Sequence, residues 1–181
     1  EDGIRGVPTG YSGLDNLLSG LHASDLVILA ARPSVGKTSL ALDIARNAAV
    51  RHNVPVGIFS LEMSSEQLID RMLAAESTVD SWKIRTGAVR DTDDFGRIRD
   101  ALETLSKAPI FIDDKPGNNV MQIRTKAHRL QAEHGLGLII IDYLQLMESH
   151  SSRNSDNRVQ EVAEMSRNLK GIARELNIPV L

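Results

Sequence analysis

The chain has no cysteine and very few aromatic residues. Phe, Trp and Tyr together make up 3% of its 181 residues. Without cysteine, neither a disulfide bond nor a thiolate metal site can form. The core must therefore be built from Leu, Ile, Val, Ala and Met, a composition that favours parallel strands covered by helices.

Long apolar runs and a large excess of one charge are also absent. No run approaches the ~20 apolar residues that a membrane-spanning helix needs, and the acidic N-terminus is unlike a secretory signal. We therefore expect a cytoplasmic protein that does not contact a membrane. The net charge of −3 excludes a basic DNA-coating protein, so any contact with nucleic acid must be confined to a loop or a pore lining.

Short apolar runs alternate along the chain with segments of helical periodicity. This alternation predicts an α/β fold with a mostly parallel sheet and helices on both faces. In such folds, ligands bind at the carboxyl ends of the strands. We predict strands at residues 26–30, 56–60, 110–112 and 138–141, the start of another at 178–181, and helices at 37–51, 64–76, 82–86, 92–106, 119–133 and 158–176.

A phosphate-binding loop is predicted between the first strand and the helix that follows it. Backbone N–H groups at the start of this helix complement an anion. In such a loop Gly36 allows close approach of the phosphates, Lys37 reaches the β- and γ-phosphates, and Thr38 ligates magnesium. Ala31 replaces the first glycine of the usual motif, so a chance strand–turn–helix is the alternative interpretation. The residues predicted to bind ATP are Ala31, Arg32, Pro33, Ser34, Val35, Gly36, Lys37, Thr38 and Ser39.

Two carboxylates are candidates for the chemistry that accompanies such a loop. Asp142 follows the apolar run 138–141, which is the pattern of a strand that holds magnesium together with Thr38. Glu62 follows the run 56–60, where a carboxylate can activate water at the γ-phosphate. The plainer interpretations are that Asp142 caps a turn and that Glu62 precedes the helix capped by Ser64. Position alone leaves the role of Glu62 open.

The remaining polar features have ordinary structural interpretations. Asp113 and Asp114 close the third strand, and we favour a turn over a metal site there. Trp82 and Tyr143 are expected to be packing residues. The five histidines have no metal-ligand spacing. The helix 119–133 carries basic residues that we expect to form a solvated face, namely Arg124, Lys126, His128 and Arg129.

The polar loop 148–157 is long enough to be functional. It follows Asp142, where motor proteins often place a loop that contacts DNA, although simple disorder explains its composition equally well. If it contacts DNA, Arg153 and Arg158 are the candidates for binding phosphate.

Several stretches together resemble the motor domain of DnaB-type replicative helicases. They follow the same order as in that family and span nearly the whole chain. Ala31 is what this family shows, whereas Val35 stands where Met is more usual. The stretches are Gly6-Val7-Pro8-Thr9-Gly10-Tyr11, Leu14-Asp15, Ala30-Ala31-Arg32-Pro33-Ser34, Gly36-Lys37-Thr38, Phe59-Ser60-Leu61-Glu62-Met63-Ser64, Arg85-Thr86-Gly87, Ile112-Asp113-Asp114 and Ile141-Asp142-Tyr143-Leu144-Gln145-Leu146-Met147.

This resemblance implies a RecA-like P-loop NTPase fold, with residues 1–20 as a linker segment and 21–181 as the ATPase core. It implies Lys37 and Thr38 at the nucleotide and magnesium, Asp142 as the metal partner and Glu62 as the catalytic glutamate. It also implies a homo-hexameric ring on single-stranded DNA at the fork, 5′→3′ unwinding driven by ATP hydrolysis, and contacts with primase and a helicase loader.

The same resemblance implies that the chain is incomplete at its C-terminal end, before the sensor and arginine-finger segments. We therefore expect the chain alone to hydrolyse ATP poorly and not to unwind DNA. Two alternatives remain at this point. One is a recombinase or clock-type ATPase of the RecA fold, and the other is a nucleotide-gated assembly module that never turns ATP over.

Overall fold

The computed structural model describes residues 3–146 and 158–181 as an open parallel sheet flanked by helices. The strands are β1 (Val56–Ser60), β2 (Ile110–Asp113) and β3 (Leu138–Asp142). The helices are α1 (Ser12–Leu18), α2 (Lys37–Arg46), α3 (Ser65–Ser77), α4 (Ser81–Thr86), α5 (Thr92–Lys107), α6 (Val120–His134) and α7 (Arg158–Leu176), with a π-helical turn at Asn47–Arg51 and a 3₁₀ turn at Leu144–Leu146.

The three strands are parallel and lie in the order β2-β1-β3. In this register Ser60, the last residue of β1, lies opposite Asp142, the last residue of β3. The sheet continues beyond β3 through a parallel bridge from Ile139 to Val180, and Val180 in turn bridges Leu26. The predicted mixed α/β architecture with a parallel sheet is confirmed.

Each face of the sheet packs against its own set of helices. Successive strand residues point to opposite faces, so Ile58 and Ile140 pack with α2 and α3, whereas Phe59 and Ile139 pack with α6 and α7. Because both faces are covered, β1 is buried along its whole length. The helices on both faces that the alternating pattern predicts are thus present.

The prediction of a buried strand at 26–30 is wrong. Only Leu26 forms a ladder bridge, and the Val27 N–H donates to the Val180 carbonyl at 2.8 Å. Beyond this point Ile28 is 62% exposed. The segment pairs with Val180 through Leu26 and Val27, and no described strand lies beside residues 28–30.

The helix starts follow the capping residues read from the sequence. Ser64 and Asn119 form capping boxes with Gln67 and Gln122 at the starts of α3 and α6. Gly87 ends α4 in the left-handed conformation, as its position predicts. The predicted helix 37–51 is present, but its last turn, Asn47–Arg51, is π-helical, which periodicity alone does not predict.

The segment before the sheet is fixed to the π-helical turn by buried polar groups. Asp15 accepts hydrogen bonds from the Thr9 N–H and hydroxyl, both at 2.8 Å, and from the Gly10 N–H at 3.1 Å. The Asn47 side chain donates to the Thr9 carbonyl at 3.1 Å. The division at residue 20 remains a prediction, since the two parts are in close contact.

Trp82, expected to be a packing residue, is 57% exposed on α4. Across 3–146 and 158–181, no helix is both long and apolar enough to cross a bilayer.

Candidate phosphate-binding site

The loop predicted to bind phosphate lies at the surface, directly before α2. Residues 31–36 are exposed, and Ser34 and Gly36 have φ angles of 67° and 104°. A Cβ atom at Gly36 would meet no atom of the described residues within 4 Å, so none of these residues fills the space above this turn. The loop is therefore accessible to a ligand, and its positive φ angles are typical of loops whose N–H groups converge on an anion.

The first turn of α2 contains no acidic residue of its own. Gly36 occupies the N-cap position without a side-chain hydrogen bond, and no acid lies in the first turn. By contrast, Asp80 and Asp91 cap α4 and α5 through hydrogen bonds to backbone N–H groups. The first N–H groups of a helix lack partners within the helix, so those of α2 remain available for a bound anion.

The predicted loop and the predicted carboxylate come together at the carboxyl end of β3. The Thr38 hydroxyl donates to Asp142 Oδ2 at 2.6 Å, and Lys37 Nζ lies 3.4 Å from Asp142 Oδ1. The Asp142 side chain is only 8% exposed, so these two groups compensate a buried charge. A hydroxyl, a carboxylate and an ammonium group thus share one position, as the sequence predicts.

The side chain of Tyr143 also joins this cluster, whereas its sequence context predicts only a packing role. Lys37 Nζ lies 3.9 Å from the centroid of the Tyr143 ring, in a cation–π contact. Tyr143 lines the same cavity as Lys37, Asp142 and Ala31. In the sequence, the position of Tyr143 directly after Asp142, at the carboxyl end of a predicted strand, is the one feature that indicates a place in this site.

Glu62 lies in an exposed turn at the end of the neighbouring strand. The Ser60 hydroxyl holds this turn, because it donates to the Met63 carbonyl at 2.7 Å and accepts from the Met63 N–H at 3.1 Å. The Leu61 N–H donates to the Asp142 carbonyl at 2.8 Å, which ties the turn to the end of β3. Among the described residues, the Glu62 carboxylate itself has no hydrogen bond or ion pair, so it is available to a ligand.

Asp113 and Asp114 have structural partners, as the plainer interpretation predicts. Asp113 accepts from Lys126 at 2.7 Å and from the Asn118 amide at 2.9 Å. Burial opposes ionisation of Asp113, but these hydrogen bonds hold its pKa below its ordinary value. Asp114 accepts from the Ser65 N–H at 2.7 Å, which lowers its pKa and complements the start of α3.

The basic residues of α6 also pair within the chain. Arg124 and His128 both contact Glu175 on α7, at 2.8 Å and 3.2 Å, and Arg129 pairs with Glu133. Of the DNA-contact candidates, Arg153 lies outside the described residues, as does the whole loop 148–157. Arg158 is described only as the first residue of α7.

The described residues contain no cluster of three or more acidic or histidine side chains that would hold a metal by themselves. The hydroxyl and carboxylate oxygens of Thr38 and Asp142 do fit Mg²⁺. This ion is usually bound by one or two protein oxygens together with substrate phosphates and water.

Comparison with known families gives one match across nearly the whole chain. Residues 6–181 match the family model of the DnaB-like helicase C terminal domain. The replicative DNA helicase DnaC of Bacillus subtilis is 52% identical over 178 residues, which cover 98% of this chain. The replicative DNA helicase DnaB of Rickettsia conorii is 47% identical and covers 100% of this chain.

Two solved structures have the same fold. One is an ATPase domain that superposes with a TM-score of 0.91 at 34% identity, over 99% of this chain and 63% of that one. A DnaB-like replicative helicase, solved in a study of its interactions with primase, gives a TM-score of 0.91 at 34% identity over 98% of this chain and 42% of that one. The chain spans 39% and 38% of the length of the two helicases from Bacillus and Rickettsia.

Proposed function

Since this chain belongs to the family of DnaB-like helicase C-terminal domains, we propose that it is the ATP-binding portion of a replicative DNA helicase. The whole protein would couple ATP hydrolysis to 5′→3′ unwinding of duplex DNA at the replication fork. The matched relatives carry the name replicative DNA helicase, and the proposal extends their activity to the protein that contains this chain.

One observation carries the nucleotide-binding part of this proposal. Lys37 and Thr38, at the first turn of α2, both contact Asp142 at the end of β3. An exposed loop with positive φ angles precedes them. Backbone N–H groups, an ammonium group and two oxygen ligands thereby converge, which is the set of groups that binds a nucleoside triphosphate with magnesium.

The loop N–H groups, Lys37, Thr38 and Asp142 have distinct roles in this proposal. The N–H groups of residues 34–39 bind the phosphate oxygens, and Lys37 neutralises charge on the β- and γ-phosphates. Thr38 and Asp142 would hold Mg²⁺. The metal would neutralise the charge that develops on the phosphate oxygens.

Glu62 is proposed as the base that orients and deprotonates the attacking water. Its turn is anchored at both ends, to Ser60 within β1 and to the Asp142 carbonyl of β3. Its carboxylate is exposed and has no partner in the described parts of the chain. An uncommitted carboxylate at this position suits general base catalysis, which typically contributes about 10²–10⁴-fold.

The proposed partners follow from the same family. We propose a homo-hexamer on single-stranded DNA, with primase and a helicase loader as further contacts, in the cytoplasm. One of the similar structures was solved in a study of primase interactions. Arg153 and Arg158 remain the proposed DNA contacts, and both require direct testing.

Two substitutions in the full-length protein test the enzyme. Lys37→Ala should abolish ATP binding, because the β- and γ-phosphates lose their ammonium partner. Glu62→Gln should keep ATP binding and lower hydrolysis by about 10²–10⁴-fold. Calorimetry measures the first effect and phosphate release the second.

Glu66→Gln is the matched control, because Glu66 is an exposed glutamate in the first turn of α3. This variant should hydrolyse ATP normally. Full hydrolysis by Glu62→Gln would remove Glu62 from the mechanism. ATP binding without hydrolysis in the unaltered protein would favour the assembly module instead.

A further inference from the structure

The Lys37 ammonium group lies between two neighbouring residues at the end of β3. Its Nζ atom is 3.4 Å from Asp142 Oδ1 and 3.9 Å from the centroid of the Tyr143 ring. The Lys37 side chain is only 27% exposed. Both contacts reduce the freedom of a side chain with four rotatable bonds beside the phosphate loop.

The two neighbours constrain the ammonium group in different ways. Asp142 pairs with its charge, but the other oxygen of this carboxylate already accepts from Thr38 at 2.6 Å. The Tyr143 ring attracts the cation through its π face without carrying a charge of its own. Because the neutral ring adds no second negative charge beside that of Asp142, Lys37 keeps positive charge for an interaction with phosphate.

We infer that Tyr143 is a positioning residue for Lys37 and that it acts through the face of its ring. Holding the ammonium group in place before ATP arrives reduces the conformational entropy lost on binding. This inference rests on the proposed function, because the positioned group matters only if Lys37 binds the nucleotide. It predicts that ATP affinity depends on the π-electron density at position 143.

The test compares ATP affinity, measured by calorimetry with magnesium, across a series of variants of the full-length protein. Tyr143→Leu removes the ring and should weaken binding about two- to tenfold. Tyr143→Phe keeps the ring and should stay within about twofold of the unaltered protein. Tyr143→Phe with three fluorine atoms on the ring has nearly the same shape but a depleted π face, and should bind ATP as weakly as Tyr143→Leu.

The fluorinated variant separates positioning from packing, because a packing role depends on shape and not on ring electrons. Equal affinity for the plain and fluorinated rings would overturn the inference. Tyr11→Leu is the control, since Tyr11 contacts Asp43 and not Lys37, and its ATP affinity should be unchanged.

Lys37→Ala in the same assay distinguishes the two levels of failure. If Lys37→Ala loses ATP binding while all Tyr143 variants have the same ATP affinity as the unaltered protein, only the positioning role is wrong. If Lys37→Ala binds ATP normally, the proposed phosphate site itself is wrong.

Discussion

Thr38 and Asp142 are 104 residues apart in the chain and share a hydrogen bond of 2.6 Å. This bond joins the first turn of α2 to the carboxyl end of β3. Mg²⁺ prefers oxygen ligands, and each of these side chains offers one oxygen atom. The hydrogen bond therefore marks the position at which we propose that the metal binds.

We expect Thr38→Ala to weaken magnesium-dependent ATP binding strongly, because the proposed metal site loses one of its two protein oxygen atoms. Thr38→Ser keeps the hydroxyl and should bind ATP nearly as well as the unaltered protein. Calorimetry with magnesium and then with a chelator measures the metal-dependent part of the affinity. If the alanine and serine variants respond to magnesium alike, the hydroxyl is not a metal ligand.

A second prediction concerns the buried carboxylate that anchors the segment before the sheet. Asp15 is 4% exposed and accepts hydrogen bonds from Thr9 and Gly10. Asp15→Ala leaves buried N–H groups without a partner, at a cost of about 1–3 kcal/mol for each such group. We expect thermal unfolding of the chain to shift down by several degrees.

Asp100→Ala serves as the matched control for Asp15→Ala. The Asp100 side chain is 69% exposed and, among the described residues, pairs only with its neighbour Arg99, so its loss should change the free energy of unfolding by less than about 0.5 kcal/mol. Equal shifts for the two variants would show that the Asp15 hydrogen bonds do not stabilise the fold.

The sequence predicts elements with local signals better than contacts between distant elements. Capping residues such as Ser64 and Asn119 act within one turn, so the starts of α3 and α6 could be predicted. The segment 26–30 has the apolar composition of a buried strand, but its pairing depends on Val180, far along the chain. Periodicity contains no information about that partner.

In the candidate site, too, local motifs could be predicted from the sequence and contacts between distant elements could not. The phosphate-loop pattern and the strand-end carboxylate identify Lys37, Thr38 and Asp142, because each belongs to a short motif. The ring contact of Tyr143 with Lys37 depends on how β3 lies beside α2. Since no local pattern encodes that packing, the sequence indicates only that Tyr143 follows Asp142.

A third prediction follows from the lowered pKa of Asp113. Burial would raise this pKa, but hydrogen bonds from Lys126 and Asn118 hold it below its ordinary value of 3.8. A carboxyl group with a lower pKa in the folded state stabilises the fold above its unfolded pKa, and this stabilisation is lost as the pH falls through the folded pKa. The contribution should therefore be complete above about pH 4 and disappear below it.

Chemical denaturation of Asp113→Asn and of the unaltered chain at several pH values tests this dependence. At neutral pH we expect the variant to be less stable by about 1–2 kcal/mol, and the difference should shrink as the pH falls below about 4. Asp100→Asn provides the control, because its exposed carboxylate should give little difference at any pH. A difference for Asp113→Asn that does not vary with pH would exclude an ionic contribution.

The last prediction separates backbone strain from steric overlap at two glycines. Gly10 and Gly87 both have left-handed φ angles, 85° and 67°. A Cβ atom at Gly10 would overlap the side-chain amide of Asn47, whereas one at Gly87 would meet nothing within 4 Å. Alanine in the left-handed region costs about 1–2 kcal/mol, and both variants should lose this amount.

Gly10→Ala should lose more, because Asn47 is buried and its amide donates to the Thr9 carbonyl. Displacing that amide breaks the contact between the segment before the sheet and the π-helical turn. We expect the unfolding temperature to fall by about 2–4 °C for each kcal/mol, and by at least twice as much for Gly10→Ala as for Gly87→Ala. Equal shifts would mean that Asn47 moves aside at no cost.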